Sequence, residues 1–380
     1  MSGSVGPSPD SRQPLTSRGA PPGQVCGAPR LRRRVLRGVG LLVVAIVGIW
    51  CLLAWRAGSF IGDRHMVAAT LDDPGIEAFS QRKRYIDVDG TQVAYIDEGG
   101  GEPLILLHGC PFHAYEWRDV IPILSAEYRV IAPDLLGLGD TQVRLDDDYR
   151  LPGDVDMVVG LMDSLGFADA SFVSHDHGAA TLQLMMRDHP ERIRRAVITN
   201  AEAYDQWPSE PERPYLEIVI HPLLNPLFRF ALQFTPIQQE VFSIAVHRKE
   251  AFTDDVVAAY VRPHISTPAR WQRFVRFFRW QLDPDNNMET MRAVEGLTRF
   301  ERPTLILWGK QDTNFGPAIA ERLAADIPGS VGIVWMEHSA HMPMQEEPEA
   351  YGDAVLRFLA GRLDAGVDTA ATPTNHRDPS

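Results

Sequence analysis

The chain has 380 residues, of which 44% are hydrophobic and 23% charged, with a formal net charge of −13. That length holds one large domain with extensions, and so acidic a balance argues against nucleic-acid binding, which needs a basic surface to neutralise phosphates. Three cysteines in unlike surroundings, Cys26, Cys51 and Cys110, supply no disulfide framework.

The acidity is unevenly spread. Residues 1–37 carry seven arginines against one acid, Asp10, and their Gly, Pro and Ser content predicts a disordered tail. An uncharged run follows over residues 38–55, with Trp50 and Trp55 towards its far end. Its length is at the short end of what crosses a bilayer core, and interfacial tryptophans are common. The expectation is a single-pass transmembrane anchor, with the arginine cluster keeping the N-terminus cytoplasmic and the body outside. Two export readings compete: a cleaved signal peptide with Ala57-Gly58-Ser59 as its small-residue site, and a twin-arginine signal at Arg33-Arg34.

From residue 80 the pattern alternates. Arg84 to Val88 and Gln92 to Ile96 predict a hairpin through Asp89-Gly90. Residues 103–107 (Pro-Leu-Ile-Leu-Leu) and 129–132 predict strands buried on both faces. A helix is expected over 155–165, a strand over 171–174, a helix over 179–188 and a strand over 193–198. Residues 204–297 are instead mostly helical in pattern and rich in aromatics, divided by Pro211, Pro214, Pro222, Pro226 and Pro236. The alternation resumes at Thr304 to Trp308, with a helix from Ala318, a strand over 331–336 and a helix over 351–363. A mostly parallel sheet with helices on both faces is implied. Its core would be residues 80–203 and 298–363, with a helical cap over 204–297 inserted after the sixth strand, and a disordered tail over 364–380.

Chemistry concentrates at Ser174-His175-Asp176-His177-Gly178. Small residues two positions either side of a central one, between a strand and a helix, are the layout of a nucleophile elbow. Here the lifted residue is Asp176 rather than serine. A carboxylate attacks saturated carbon by displacement and leaves an alkyl ester that water then opens. The second step needs a base, and histidine titrates in the useful range.

Four blocks in order complete the picture: His108-Gly109-Cys110-Pro111, the elbow, Gly309-Lys310-Gln311-Asp312, and His338-Ser339-Ala340-His341 leading to Glu347-Pro348-Glu349. Pro133-Asp134-Leu135-Leu136-Gly137-Leu138-Gly139-Asp140 is similar to a further signature. Over residues 80–362 the chain resembles α/β-hydrolases of the epoxide hydrolase and haloalkane dehalogenase group. Its anchor and elbow also resemble the mesoderm-specific-transcript-like membrane hydrolases.

The resemblance implies Asp176 as nucleophile, His341 as general base and Asp312 as the acid orienting it, with His338 the alternative base and Glu202 an alternative acid where Asn200 cannot serve. Backbone N–H groups of Cys110 and His177 would form the oxyanion hole. His108 and Pro111 would line the substrate site. Dehalogenases usually carry Trp after the nucleophile; His177 stands there and could donate to halide instead. Epoxide hydrolases use cap tyrosines to protonate the opening oxygen, and Tyr204, Tyr215 and Tyr260 are the candidates. The expected substrate is a small apolar epoxide, with a haloalkane second and other or no catalysis on the same fold third. No cofactor is implied. His175-Asp176-His177 lacks the further ligands of a hydrolytic zinc motif, and Cys110 lies in a loop rather than at an elbow.

Overall fold

The computed structural model describes residues 28–69 and 76–363. The division between its two units falls between Ile49 and Trp50. In the first unit begins a continuous helix, α1 (Ala28–Arg56). Within it Arg37–Arg56 is the one stretch of the described residues long and apolar enough to cross a membrane, by length and composition. The tail expected over 1–37 needs correction at its end, because residues 28–37 are helical. Pro29 suits a first helical turn, and the leucines and arginines after it are good helix formers. Residues 1–27 and 364–380, also read as tails, lie outside the described residues.

The second unit is built on an eight-stranded sheet: β1 (Arg84–Val88), β2 (Thr91–Gly99), β3 (Pro103–Leu107), β4 (Arg129–Pro133), β5 (Ala170–His175), β6 (Ile193–Ala201), β7 (Thr304–Gly309) and β8 (Ser330–Met336). Their order across the sheet is β8-β7-β6-β5-β3-β4-β2-β1. β2 runs antiparallel to both β1 and β4, and the remaining pairs are parallel. Asp89 and Gly90, both at positive φ, close the β1–β2 hairpin, the geometry that matches strand twist. Leu104, Ile105, Leu106 and Leu107 are fully buried, which is why β3 reads as an unbroken apolar run. A two-residue ribbon pairing Met66–Val67 with Val143–Arg144 was not foreseen; two residues carry no periodicity.

Chain order reverses between β3 and β5, so their carboxyl ends open a crevice at a topological switch point. The loop after β3 and the helix after β5 both start there. α2 (Leu151–Ser164) and α3 (Asp176–Asp188) cross back over the sheet.

Between β6 and β7 come α4 (Arg213–Ile220), α5 (Asn225–Ala231), α6 (Thr235–Phe242), α7 (Asp254–Ile265), α8 (Pro268–Gln281) and α9 (Pro284–Leu297). Of the prolines expected to divide this region, Pro214, Pro226 and Pro236 sit in the first turns of helices, as do Pro268 and Pro284; Pro211 and Pro222 lie between elements. Thr253 and Thr267 cap α7 and α8 by accepting from Val256 N and Arg270 N. α9 packs on core helix α3, where a Cβ on Gly296 would stand 2.4 Å from Arg187 Cα. Two further helices, α10 (Pro317–Asp326) and α11 (Pro348–Leu359), flank β8 in the chain.

Candidate active site

The turn from β5 into α3 is tight. Asp176 sits at φ 50 and is fully buried, a conformation that L-residues rarely adopt and that surrounding structure must hold. Gly178 N donates to His108 O at 3.0 Å, and a Cβ on Gly178 would stand 2.4 Å from Leu107 O. Only glycine lets α3 start this close to β3. Gly178→Ala is expected to cost about 1–3 kcal/mol, from forced backbone shifts. Comparing urea midpoints with the wild type checks this, and an unchanged midpoint would contradict the packing argument.

Asp176 treats its two oxygens differently. Oδ1 accepts from Cys110 N at 2.7 Å. Oδ2 has no hydrogen-bond partner among the described residues and stands 3.4 Å from His341 Nε2. His341 Nδ1 lies 3.0 Å from Asp312 Oδ2. Asp312 is itself held: Oδ1 accepts from Asn314 N (2.7 Å) and Phe315 N (3.2 Å), and Oδ2 from Asn200 Nδ2 (2.8 Å). Asn200, at φ 33, also accepts from Gly309 N at 2.8 Å, so it ties the end of β6 to β7 and orients the acid. Burial opposes charge on the His341 ring, but Asp312 and Asp176 outweigh it and hold its pKa well above the ordinary value. Burial likewise opposes charge on Asp176, yet His341, His175 and the Cys110 N–H keep its carboxyl well below the usual carboxylate range. His338 is exposed and takes no part.

The neighbouring histidines serve two buried networks. His175 Nδ1 faces Glu116 Oε1 at 3.0 Å and its Nε2 donates to His341 O at 2.9 Å; Glu116 Oε2 accepts from Gly109 N at 3.1 Å. This chain joins the loop after β3 to the His341 loop. His177 Nδ1 faces Glu202 Oε2 and its Nε2 faces Asp154 Oδ2, each at 3.1 Å. Burial disfavours its charge, but Glu202 and Asp154 prevail and push the pKa up to about 10. His177 therefore has no ring N–H left for a halide, and Glu202 serves His177 rather than His341. The His177 backbone N–H stays in the first turn of α3, where such groups lack intrahelical acceptors. His108 is also corrected: its Nδ1–H donates to Gly109 O (2.7 Å) and its Nε2 accepts from Leu135 N (2.9 Å), so it braces loops and does not line the substrate space.

A cavity opens beside Cys110 and His341, the two residues that touch Asp176. Phe112, Leu216, Val219, Phe242, Phe274 and Phe278 make most of its wall apolar, and Pro111 and Tyr215 also line it. Burial, with Asp176 adding to it, pushes the Cys110 thiol well above its ordinary pKa, which leaves it unreactive. Two of three tyrosine candidates fall outside the cavity. Tyr204 OH donates to Asp326 Oδ2 at 2.9 Å under the Arg322 guanidinium. Tyr260 OH accepts from Arg118 Nη1 (3.1 Å) and from Gln345 Nε2, packed against Phe112 and Tyr115. Each hydroxyl is drawn to a polar partner away from the cleft.

Sequence reasoning missed Glu212. It lines the cavity, with Oε2 accepting from Ser209 Oγ (2.6 Å) and Oε1 from Asn314 Nδ2 (3.3 Å). Loss of water, reinforced by Asp176, pushes its carboxyl up to about 8. Glu210 and Glu212 between prolines read as a solvated loop, and only the fold aims one of them inward. Among the described residues no three His, Cys, Asp or Glu gather to hold a metal ion.

Sheet order, elbow and acid–histidine pair together define an α/β hydrolase. The chain belongs to the alpha/beta hydrolase fold family, whose profile matches residues 102–348. It is similar to a cis-3-alkyl-4-alkyloxetan-2-one decarboxylase of Shewanella oneidensis, 28% identical over 78% of this chain and 92% of the relative. It is also similar to a soluble epoxide hydrolase of Corynebacterium sp. strain C12, 27% identical over 72% and 95%. The solved haloalkane dehalogenase DbeA from Bradyrhizobium elkani shares the fold at a TM-score of 0.63 and 22% identity, over 74% of this chain and 98% of that one. The chain is a hydrolase by these relationships.

Proposed function

We propose that the protein opens an apolar epoxide by way of an ester on Asp176. The observation that carries this reading is the asymmetry of Asp176: one oxygen pinned by Cys110 N, the other without a hydrogen bond among the described residues and 3.4 Å from His341 Nε2. Oδ2 attacks a ring carbon, the C–O bond breaks, and the opening oxygen takes a proton from Glu212, giving a hydroxyalkyl ester. His341 then removes a proton from water as the water oxygen adds to the Asp176 carbonyl carbon. The resulting oxyanion faces the N–H groups of Cys110 and His177. Collapse expels the diol oxygen, which takes the His341 proton. The regenerated Asp176 acid loses its proton to solvent, from which Glu212 is recharged. One epoxide and one water give one diol.

Glu212 supplies what the tyrosines do not. Tyr215 is the remaining tyrosine candidate on the wall; Glu212 is preferred because loss of water, with Asp176 adding to it, holds its carboxyl up at about 8. Protonated Glu212 predominates below that pH, so ring opening should weaken as pH rises through about 8. Glu212→Gln is expected to slow single-turnover ring opening by about 100-fold and to abolish that alkaline limb. A variant that keeps the limb would remove Glu212 from the mechanism.

The oxetanone-directed relative favours a second reading, a strained cyclic ester with alkyl arms, because the same apolar wall would hold such a substrate. A panel of epoxides, haloalkanes and alkyloxetanones, scored by product, separates these readings. We also propose that Arg37–Arg56 is retained as a membrane anchor with the preceding arginines cytoplasmic, supported by its length and flanking charge. Protease accessibility of the body in intact cells tests the orientation.

A further inference from the structure

The outer surface of the cap is unusually apolar. Leu223, Leu224, Leu227, Phe230, Phe234 and Ile237 are all exposed, Phe230 by 54% and Leu223 by 57%. Isolated exposed apolar residues need no explanation, but a run of them over α5 and the start of α6 does. The chain emerging from the apolar run is fastened to this same part of the cap. Trp50 Nε1 donates to Leu223 O (3.1 Å), Arg229 Nη1 to Arg56 O (3.0 Å) and Gln272 Nε2 to Ala57 O (2.7 Å). Trp55 and Phe60, 67% and 74% exposed, extend the surface. They line a groove with Arg56 and Arg229, and among the described residues no carboxylate lines it, although the chain as a whole is acidic.

We infer that this cap face lies on the bilayer that the apolar run enters, so that the cavity is fed from lipid. Aromatics and arginines along the groove suit the zone of lipid headgroup phosphates. The rim is one helix away from the substrate space: α5 presents Leu227 and Phe230 outward, while Phe228 and the following Leu232 line the cavity. A substrate dissolved among lipid tails would reach the cavity without crossing water, which narrows its class to long-chain, membrane-partitioned molecules. The inference rests on the anchor reading above and is independent of which ring is opened.

The test uses full-length protein in phosphatidylcholine vesicles, with Cys26 and Cys51 replaced by serine. A fluorophore is placed at Phe230→Cys, at Leu42→Cys in the apolar run, or at Glu127→Cys, an exposed site just before the N-terminal end of β4, the strand end away from the crevice. Quenching by doxyl-labelled lipid should be strong at Leu42 and Phe230 and weak at Glu127. Quenching at Leu42 with none at Phe230 overturns this inference alone; none at either overturns the anchor as well. Crosslinking of Phe230→Cys between copies without lipid quenching would assign the face to a second copy and overturn it too. In a parallel assay, Phe230→Glu should slow turnover of a long-chain epoxide supplied in vesicles by about tenfold. It should leave a short water-soluble epoxide unaffected; equal losses on both would overturn feeding from lipid.

Discussion

Replacing His341 with alanine should leave Asp176 alkylated. Ester formation needs an ionised carboxylate and a proton for the leaving oxygen, and neither comes from His341 in the proposed sequence. Losing the imidazole lets the Asp176 pKa rise, because His341 helps hold it down. Burial also favours the neutral form, and the Cys110 N–H and His175 remain to oppose it, so the variant should alkylate more slowly than the wild type but still form the ester. Hydrolysis is different, because among the described residues His341 is the base recorded beside Oδ2. Turnover is therefore expected to fall by about 10⁴-fold, while the peptide containing Asp176 gains the full mass of the substrate. Asp176→Ala should show neither turnover nor adduct. Wild-type turnover by Asp176→Ala on any substrate found would sink the mechanism.

The same geometry says how the base becomes available. In the resting enzyme two carboxylates raise the His341 pKa, which favours the charged ring, the wrong form for a base. Alkylation neutralises Asp176 and removes one of them. Asp312 remains, held by Asn200, Asn314 and Phe315, so the ring stays oriented while its pKa falls. In the proposed sequence, ester formation thus lets the imidazolium lose its proton to solvent and leaves the neutral base that the next step requires.

What the sequence could disclose follows from how local each signal is. The elbow was legible because small residues at 174 and 178 are needed within one turn, and Gly178 meets Leu107 O for that reason. Asp312 and His341 were legible from chain order, each following a strand, and their side chains meet at 3.0 Å. The His177 clamp was not, since its partners Asp154 and Glu202 lie 23 and 25 residues away on other elements. Composition gave the cap its tyrosines but not their directions. Tyr204 and Tyr260 are turned by Asp326, Arg118 and Gln345, none of which adjoins them in the chain. Glu212 failed for the opposite reason: a carboxyl in a proline-rich stretch reads as solvated until a cap helix places it on an apolar wall.

The signature at Pro133 to Asp140 finds its explanation in stability, and Lys83→Met should expose it. Lys83 Nζ lies 2.6 Å from Asp134 Oδ2 and 3.0 Å from Asp140 Oδ2, all three side chains at or near zero exposure. Arg270 Nη2 closes the cluster on Asp140 Oδ1 at 2.5 Å. Gly139 permits it, since a Cβ there would stand 2.2 Å from Asp134 Cγ. Methionine matches the lysine stem but removes the cation that Asp134 and Asp140 share, leaving Arg270 on Asp140. Removing one partner of a buried ion pair costs about 3–5 kcal/mol, read as a lower urea midpoint for the full chain in detergent. The pH dependence has a definite sign. In the wild type Asp134 has a folded pKa below its ordinary value, burial being outweighed chiefly by Lys83, so its contribution is present above the unfolded pKa and lost as pH falls through the folded one. In the variant the Asp134 carboxyl, without Lys83, is raised instead, so stability is lost as pH rises and the deficit against wild type should shrink between neutral pH and about 5. A deficit constant across that range would mean lost packing rather than uncompensated charge. Activity should suffer as well, because Asp134 Oδ1 accepts from Ala114 N at 2.8 Å. That bond fixes the far end of the loop whose near end, Cys110, holds the nucleophile.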